Sequence, residues 1–193
     1  MKQLMFLFVT VFLCACGENK KKNYLEEGWN AFAEGDYMQA LSELQTAKLK
    51  NPNDPDIRTA LGWTYMRLDS LESADQEFAE GSVLSEAPAD LAAGWTFVLA
   101  AIHNYAASNV QANQILTNDP NWIFEFADGI DHNDIRIVKA ANHFLLGEFT
   151  SSLNEIKTVN PDFNADVITV SGRAQLAGEI ERLRGLNKTI GKK

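Results

Sequence analysis

Cut every thirty-four residues from Lys21, the chain overlays on itself: "YLEEGWNAFAEGDYMQALSELQTAKLKNP" in the first segment lies over "RTALGWTYMRLDSLESADQEFAEGSVL" in the second. Gly28 pairs with Gly62, Trp29 with Trp63, Tyr37 with Leu71, Ala40 with Ala74, Leu44 with Phe78 and Ala47 with Gly81. Self-similarity at a fixed period of this length leaves few folds open. Each repeat is a supersecondary unit too small to bury its own apolar face, and only stacking on a neighbour completes it. The chain is therefore expected to be a repeat array.

In the first segment Gly28 stands midway in a helical stretch, Gly35-Asp36-Tyr37 form a turn, Ala40 and Ala47 follow at helical spacing, and Pro52 closes the segment. This pattern resembles the tetratricopeptide repeat, a helical hairpin. The resemblance implies an all-α, right-handed superhelical array of about four such hairpins with a C-terminal capping helix. Each residue type has a task in that fold. Gly28 and Ala40, like Gly62 and Ala74 after them, lie where two antiparallel helices cross, and a larger side chain there would push the axes beyond the usual 8–10 Å or so. Gly35 ends the first helix in a left-handed conformation. Pro52 ends the second, because the residue before a proline avoids helical angles.

Later segments follow the pattern less closely. "DLAAGWTFVLAAIHNYAASNVQANQILTNDP" keeps Phe97 and Tyr105 in phase and Pro120 two periods after Pro52, but Thr96 replaces the crossing glycine, with Gly94 two residues earlier. "NWIFEFADGIDHN" then breaks the period. A fourth, degenerate hairpin turns at Gly147-Glu148-Phe149 and ends at Pro161, with a second helix about three residues short. After it Leu176, Ile180 and Leu183 recur at helical spacing among charged residues, the mark of the polar-backed capping helix that repeat arrays need; its VITV start could be irregular. The expected boundaries are repeats over 24–54, 55–88 and 89–120, an insertion over 121–133, the degenerate repeat over 134–163, the cap over 164–187 and a disordered tail over 188–193.

The first fifteen residues read as a secretory signal, with Lys2 at the positive end and the apolar run LMFLFVTVFL from Leu4 to Leu13, too short to span a bilayer. Leu13-Cys14-Ala15-Cys16 resembles the lipobox of bacterial lipoproteins, in which the signal is cleaved before a lipidated cysteine. That resemblance implies that Cys14 leaves with the signal over 1–15 and that Cys16 carries diacylglycerol and acyl lipid, so no thiol remains for redox or zinc chemistry. Gly17 in place of aspartate favours the outer membrane, with the protein on the periplasmic or cell-surface side. Residues 16–23 then form a lipidated tether with a reach of roughly 25–30 Å, and Lys20, Lys21 and Lys22 within it suit an anionic surface.

In such an array the first helices line a concave groove. Trp29, Trp63 and Phe97 recur at thirty-four-residue intervals along it, Phe32 and Met66 follow one turn on, and Leu25 lies one turn before. The family's use of this face implies that it receives a peptide or helix of a partner, with the aromatic row as its hot spot; equally, the row could be covered from within by the cap or by Trp122, Phe124 and Phe126 of the insertion. The family's carboxylate clamp is missing, since Leu25, Trp29, Thr59 and Trp63 stand where Lys, Asn and Arg would, and Arg67 is the one groove-side cation. The expected function is a membrane-anchored interaction scaffold of the cell envelope, bound to an envelope protein or peptide. The alternative is a carrier or sensor of a lipid or glycan fragment in an aromatic pocket with Trp122 as lid.

A formal charge of −9 argues against a nucleic acid partner. Glu125, Asp128, Asp131 and Asp134 fail the EF-hand spacing, and His103, His132 and His143 are scattered with no catalytic motif around them. No catalytic residue, metal site or small-molecule cofactor is therefore expected.

Overall fold

The computed structural model describes residues 23–190, with side chains through residue 185. Cys14, Cys16, the signal and most of the tether lie outside the described residues. Nine helices are present among them: α1 (Tyr24–Ala33), α2 (Tyr37–Lys50), α3 (Pro55–Arg67), α4 (Leu71–Ser82), α5 (Ala89–Ala101), α6 (Tyr105–Asn118), α7 (His132–Leu145), α8 (Phe149–Val159) and α9 (Val170–Ile190). They pair as the antiparallel hairpins α1–α2, α3–α4, α5–α6 and α7–α8, stacked in chain order, with α9 packed on α7 and α8. Among the described residues no helix is long and apolar enough to cross a membrane.

Local chemistry sets the ends of these helices. The Asp36 carboxylate accepts the Gln39 N–H at 3.0 Å to open α2, and Asp54 accepts the Asp56 N–H at 2.9 Å with Pro55 in the first helical position of α3. Each hairpin turns through one residue of positive φ: Gly35 at 83°, Asp69 at 57°, His103 at 65° and Gly147 at 79°. Helices α2, α6 and α8 stop at Asn51, Asp119 and Asn160, with ψ of 76°, 84° and 89°, each directly before Pro52, Pro120 or Pro161.

The crossings explain the glycines. A Cβ on Gly28 would stand 2.5 Å from the Leu44 side chain, and one on Gly62 would stand 2.5 Å from the Phe78 ring. In the third hairpin the bulk is exchanged between helices: Thr96 and Ala112 hold these two positions, both fully buried. Gly94 is not a displaced crossing glycine. A Cβ there would come within 2.5 Å of Phe78 and 2.7 Å of the Trp63 indole, so it seats the second hairpin against the third. Where the first two repeats carry Ala40 and Ala74, the later ones carry buried Ser108 and Ser152, whose hydroxyls donate to the carbonyls of Thr96 and Ala140 at 2.7 Å.

Three expected boundaries shift. Helix α7 begins at His132, inside the expected insertion, because Asp131 and Asp134 form a capping box, the Asp131 N–H donating to Asp134 at 2.9 Å. The capping helix starts at Val170 and not at residue 164. The β-branched run before it stays irregular, folded by a turn in which the Thr169 N–H donates to the Asp166 carbonyl at 3.0 Å and by the Arg173 guanidinium on the carbonyls of Val167 and Ile168. At its other end α9 runs to Ile190, past the expected start of a tail at 188, in a stretch free of helix breakers before Gly191.

Candidate functional site

The concave face is built by α1, α3 and α5, which bring Trp29, Trp63 and Phe97 into one row, as their spacing implies. The insertion between α6 and α7 turns back onto that row. Phe124 donates its N–H to the Ile130 carbonyl at 3.0 Å, His132 donates to the Trp122 carbonyl at 2.9 Å, Ile123 and Asp131 form an antiparallel bridge, and Gly129 makes the bend at φ 77°. In an extended strand alternate side chains share a face, so Trp122 and Phe124 point into the groove while Ile123 stays 64% exposed outside it, and the turn at residues 125–126 brings the Phe126 ring onto Trp29.

The contacts are aromatic and ordered. Phe126 stacks on Trp29 with centroids 3.9 Å apart and planes 8° from parallel, and Phe124 stacks on Trp63 at 3.9 Å and 15°. Phe124 also meets Phe32 and Trp29 edge-on at 6.0 Å. Such pairs add about 0.5–1.5 kcal/mol each beyond the burial of their area. The tryptophan N–H groups both find Asp90 in the first turn of α5: Trp63 donates to its backbone carbonyl at 2.8 Å and Trp122 to its carboxylate at 2.7 Å. Burial raises the Asp90 carboxyl above its ordinary value, the Trp122 hydrogen bond opposes that rise, and the nearby carboxylates of Glu125, Asp56 and Asp119 add to it.

This geometry corrects part of the predicted groove. Trp63 is fully buried and Phe32 is 2% exposed, so neither is available to a partner while the insertion is seated. Trp29, Met66 and Phe97 are half-buried against the same cluster, and Leu25 instead packs with Leu44, Ile57 and Leu61 between α1, α2 and α3. The faces of Trp29 and Trp63 that the alternative reading would offer to a small apolar ligand carry the Phe126 and Phe124 rings. What stays open is a cleft of about 970 Å³ beside the insertion, flanked by Tyr37, Arg67, Phe97, Phe126, Val138 and Arg184. Arg67 lines it with its guanidinium on the Tyr37 hydroxyl at 2.6 Å.

The remaining candidates sit apart from one another. His103 occupies the turn of the third hairpin. His132 opens α7, and His143 lies between Asn109 at 3.4 Å and Glu148 at 2.5 Å. Asp131 and Asp134 are used in capping, and among the described residues no group of three or more His, Cys, Asp or Glu side chains converges on one point. Sequence reasoning missed Asp90. The available signal was the need of a buried indole N–H for an acceptor, which says that a partner exists without naming it.

A family model described as tetratricopeptide repeat matches residues 31–96. No curated protein matches the chain. Among solved structures, MamA (AMB-1) superposes with a TM-score of 0.61 at 14% identity, over 82% of this chain and 83% of that one. MamA (MSR-1) gives 0.62 at 11%, over 86% and 95%. The APC/C hetero-tetramer Cut9-Hcn1 gives 0.59 at 16%, over 82% of this chain and 29% of that one. At such identities the likeness is one of fold, and the fold is that of a tetratricopeptide-like all-α array.

Proposed function

We propose, from a tetratricopeptide-like array with an aromatic concave face, that this chain is a protein-interaction scaffold of the bacterial cell envelope, held at the membrane by lipid on Cys16. The observation that carries the reading is the stacking of four hairpins into a helix-lined groove, an extended surface suited to docking a chain rather than to enclosing a substrate. The cleft beside the insertion supports it, since Tyr37, Phe97 and Phe126 offer aromatic contact and Arg67 and Arg184 offer charge along one edge. The apolar run before Leu13-Cys14-Ala15-Cys16 supports the anchor and the address, and several acyl chains would hold the protein far more firmly than one. No reaction is assigned to it.

Two experiments test the reading. Cys16→Ser should leave an uncleaved, unlipidated precursor in fractionated cells, and a mature-sized product still sedimenting with membranes would remove the lipoprotein assignment. A photoreactive residue at Tyr37 or Phe97 of the full chain should capture a defined envelope protein that, once purified, binds the wild-type scaffold. Captures that fail to reproduce with purified components would sink the scaffold reading.

A further inference from the structure

We propose that the 121–131 insertion is an exchangeable internal ligand, holding the place of a partner segment that carries aromatic residues at alternate positions. The inference rests on the scaffold reading for the existence of a partner and adds what that partner presents. Trp122 reaches Asp90 of α5, Phe124 stacks on Trp63 of α3, and Phe126 stacks on Trp29 of α1. One alternate side chain thus meets each of the first three hairpins, and the segment runs against their order. The Phe124 and Phe126 rings are centred 5.7 Å from each other and reach the first helices of two successive hairpins, α3 and α1. A groove with this step reads an aromatic at every second residue.

The insertion is attached as a ligand would be. Its backbone hydrogen bonds run within itself, to Asp119 and to the first turn of α7, where Asp131 is the N-cap; the groove is reached by side chains, through two stacks and one indole–carboxylate bond. It also lies outside the repeat. The positive-φ turn residues 35, 69 and 103 are spaced by thirty-four and residue 147 follows after forty-four, so ten residues have been added between complete hairpins. Lifting residues 122–126 breaks no hairpin and, with Asp131 left in place at the N-cap of α7, no helix. A tethered occupant on short flanks acts at an effective concentration in the millimolar range, so a partner segment must outcompete it and binding is gated by that exchange.

The test uses the full chain and a fluorescein-labelled peptide of residues 121–132, NWIFEFADGIDH, followed by anisotropy. Against a protein carrying Trp122→Ser, Phe124→Ser and Phe126→Ser the peptide should bind at least ~10-fold more tightly than against wild type, as expected when a local competitor is removed. A peptide with serine at the same three positions should bind neither. Equal binding to both proteins, or none to a variant that retains wild-type helicity, overturns the proposal. Because three serines could unfold the first hairpins, hydrogen exchange on the wild type supplies a second arm. The amides of Phe124 and His132 should exchange through a local opening well below global unfolding, and protection equal to that of the α3 amides overturns the proposal. A groove that takes the peptide while cells yield no partner sinks the scaffold reading alone; a confirmed partner beside an insertion that opens only with the whole fold sinks this inference alone.

Discussion

At Gly62 one hydrogen stands where any side chain would meet the Phe78 ring at 2.5 Å, and Phe78 is fully buried, so it has nowhere to yield. Gly62→Ala should therefore cost about 1–3 kcal/mol by overpacking, lowering the melting temperature by about 2–4 °C for each of them. Gly178 in α9 faces open space, and Gly178→Ala should instead stabilise by about 0.5–1 kcal/mol; calorimetry on the pair checks both signs. Asp90 gives a pH test. Its carboxyl is raised by burial from an ordinary 3.8, so the folded chain holds that proton to higher pH than the unfolded one, and the associated stability is lost as pH rises through the folded value. The stability of Asp90→Asn relative to wild type should climb as pH rises from 3.8 through that raised value and then level off; a difference that does not change with pH would contradict the buried, charged state. Gly28, Gly35 and Gly62 were legible because a motif surrounds them. Asp69 and His103 take the same left-handed turn one and two periods after Gly35, and both belong to residue types enriched in that region. Asp90 was not legible at all, because its role depends on two indoles brought from twenty-seven and thirty-two residues away.

The insertion is the element that decides what the concave face is. Its aromatic residues and its break with the period are plain in the sequence, but the direction in which it folds depends on a groove that exists only after three hairpins have stacked. Sequence alone therefore left open whether the aromatic row was covered from within. Phe124→Ala should show how much depends on it: losing a buried phenylalanine typically costs about 3–5 kcal/mol, and here it would uncover Trp63, shifting tryptophan emission to the red. Unchanged emission in a folded variant would mean that another side chain closes the gap. The cap shows the reverse balance. Its apolar positions Leu176, Ile180 and Leu183 were readable and all three are buried, yet its start was displaced by Asp166 and the carbonyls that Arg173 gathers, local chemistry that periodicity does not report.

Across the molecule the apolar side chains form separate clusters. One gathers the first three hairpins with the insertion, and another, around Ile137, Ile156 and Leu176, belongs to α7, α8 and α9. In an array each unit leans only on its neighbours, so stability is not uniform along it. Native-state hydrogen exchange should find α9, which among the described residues packs on α7 and α8, opening at lower free energy than α3 or α5; the opposite order would show that the cap and not the aromatic cluster holds the array together. The position of the occupant in the chain has one more consequence. The segment that covers Trp29, Phe32 and Trp63 is synthesised after them, and translation proceeds at about 5–20 residues per second. Any folding order that follows the direction of the chain therefore leaves the rings of Trp29, Phe32 and Trp63 bare until residues 122 to 126 are available to cover them.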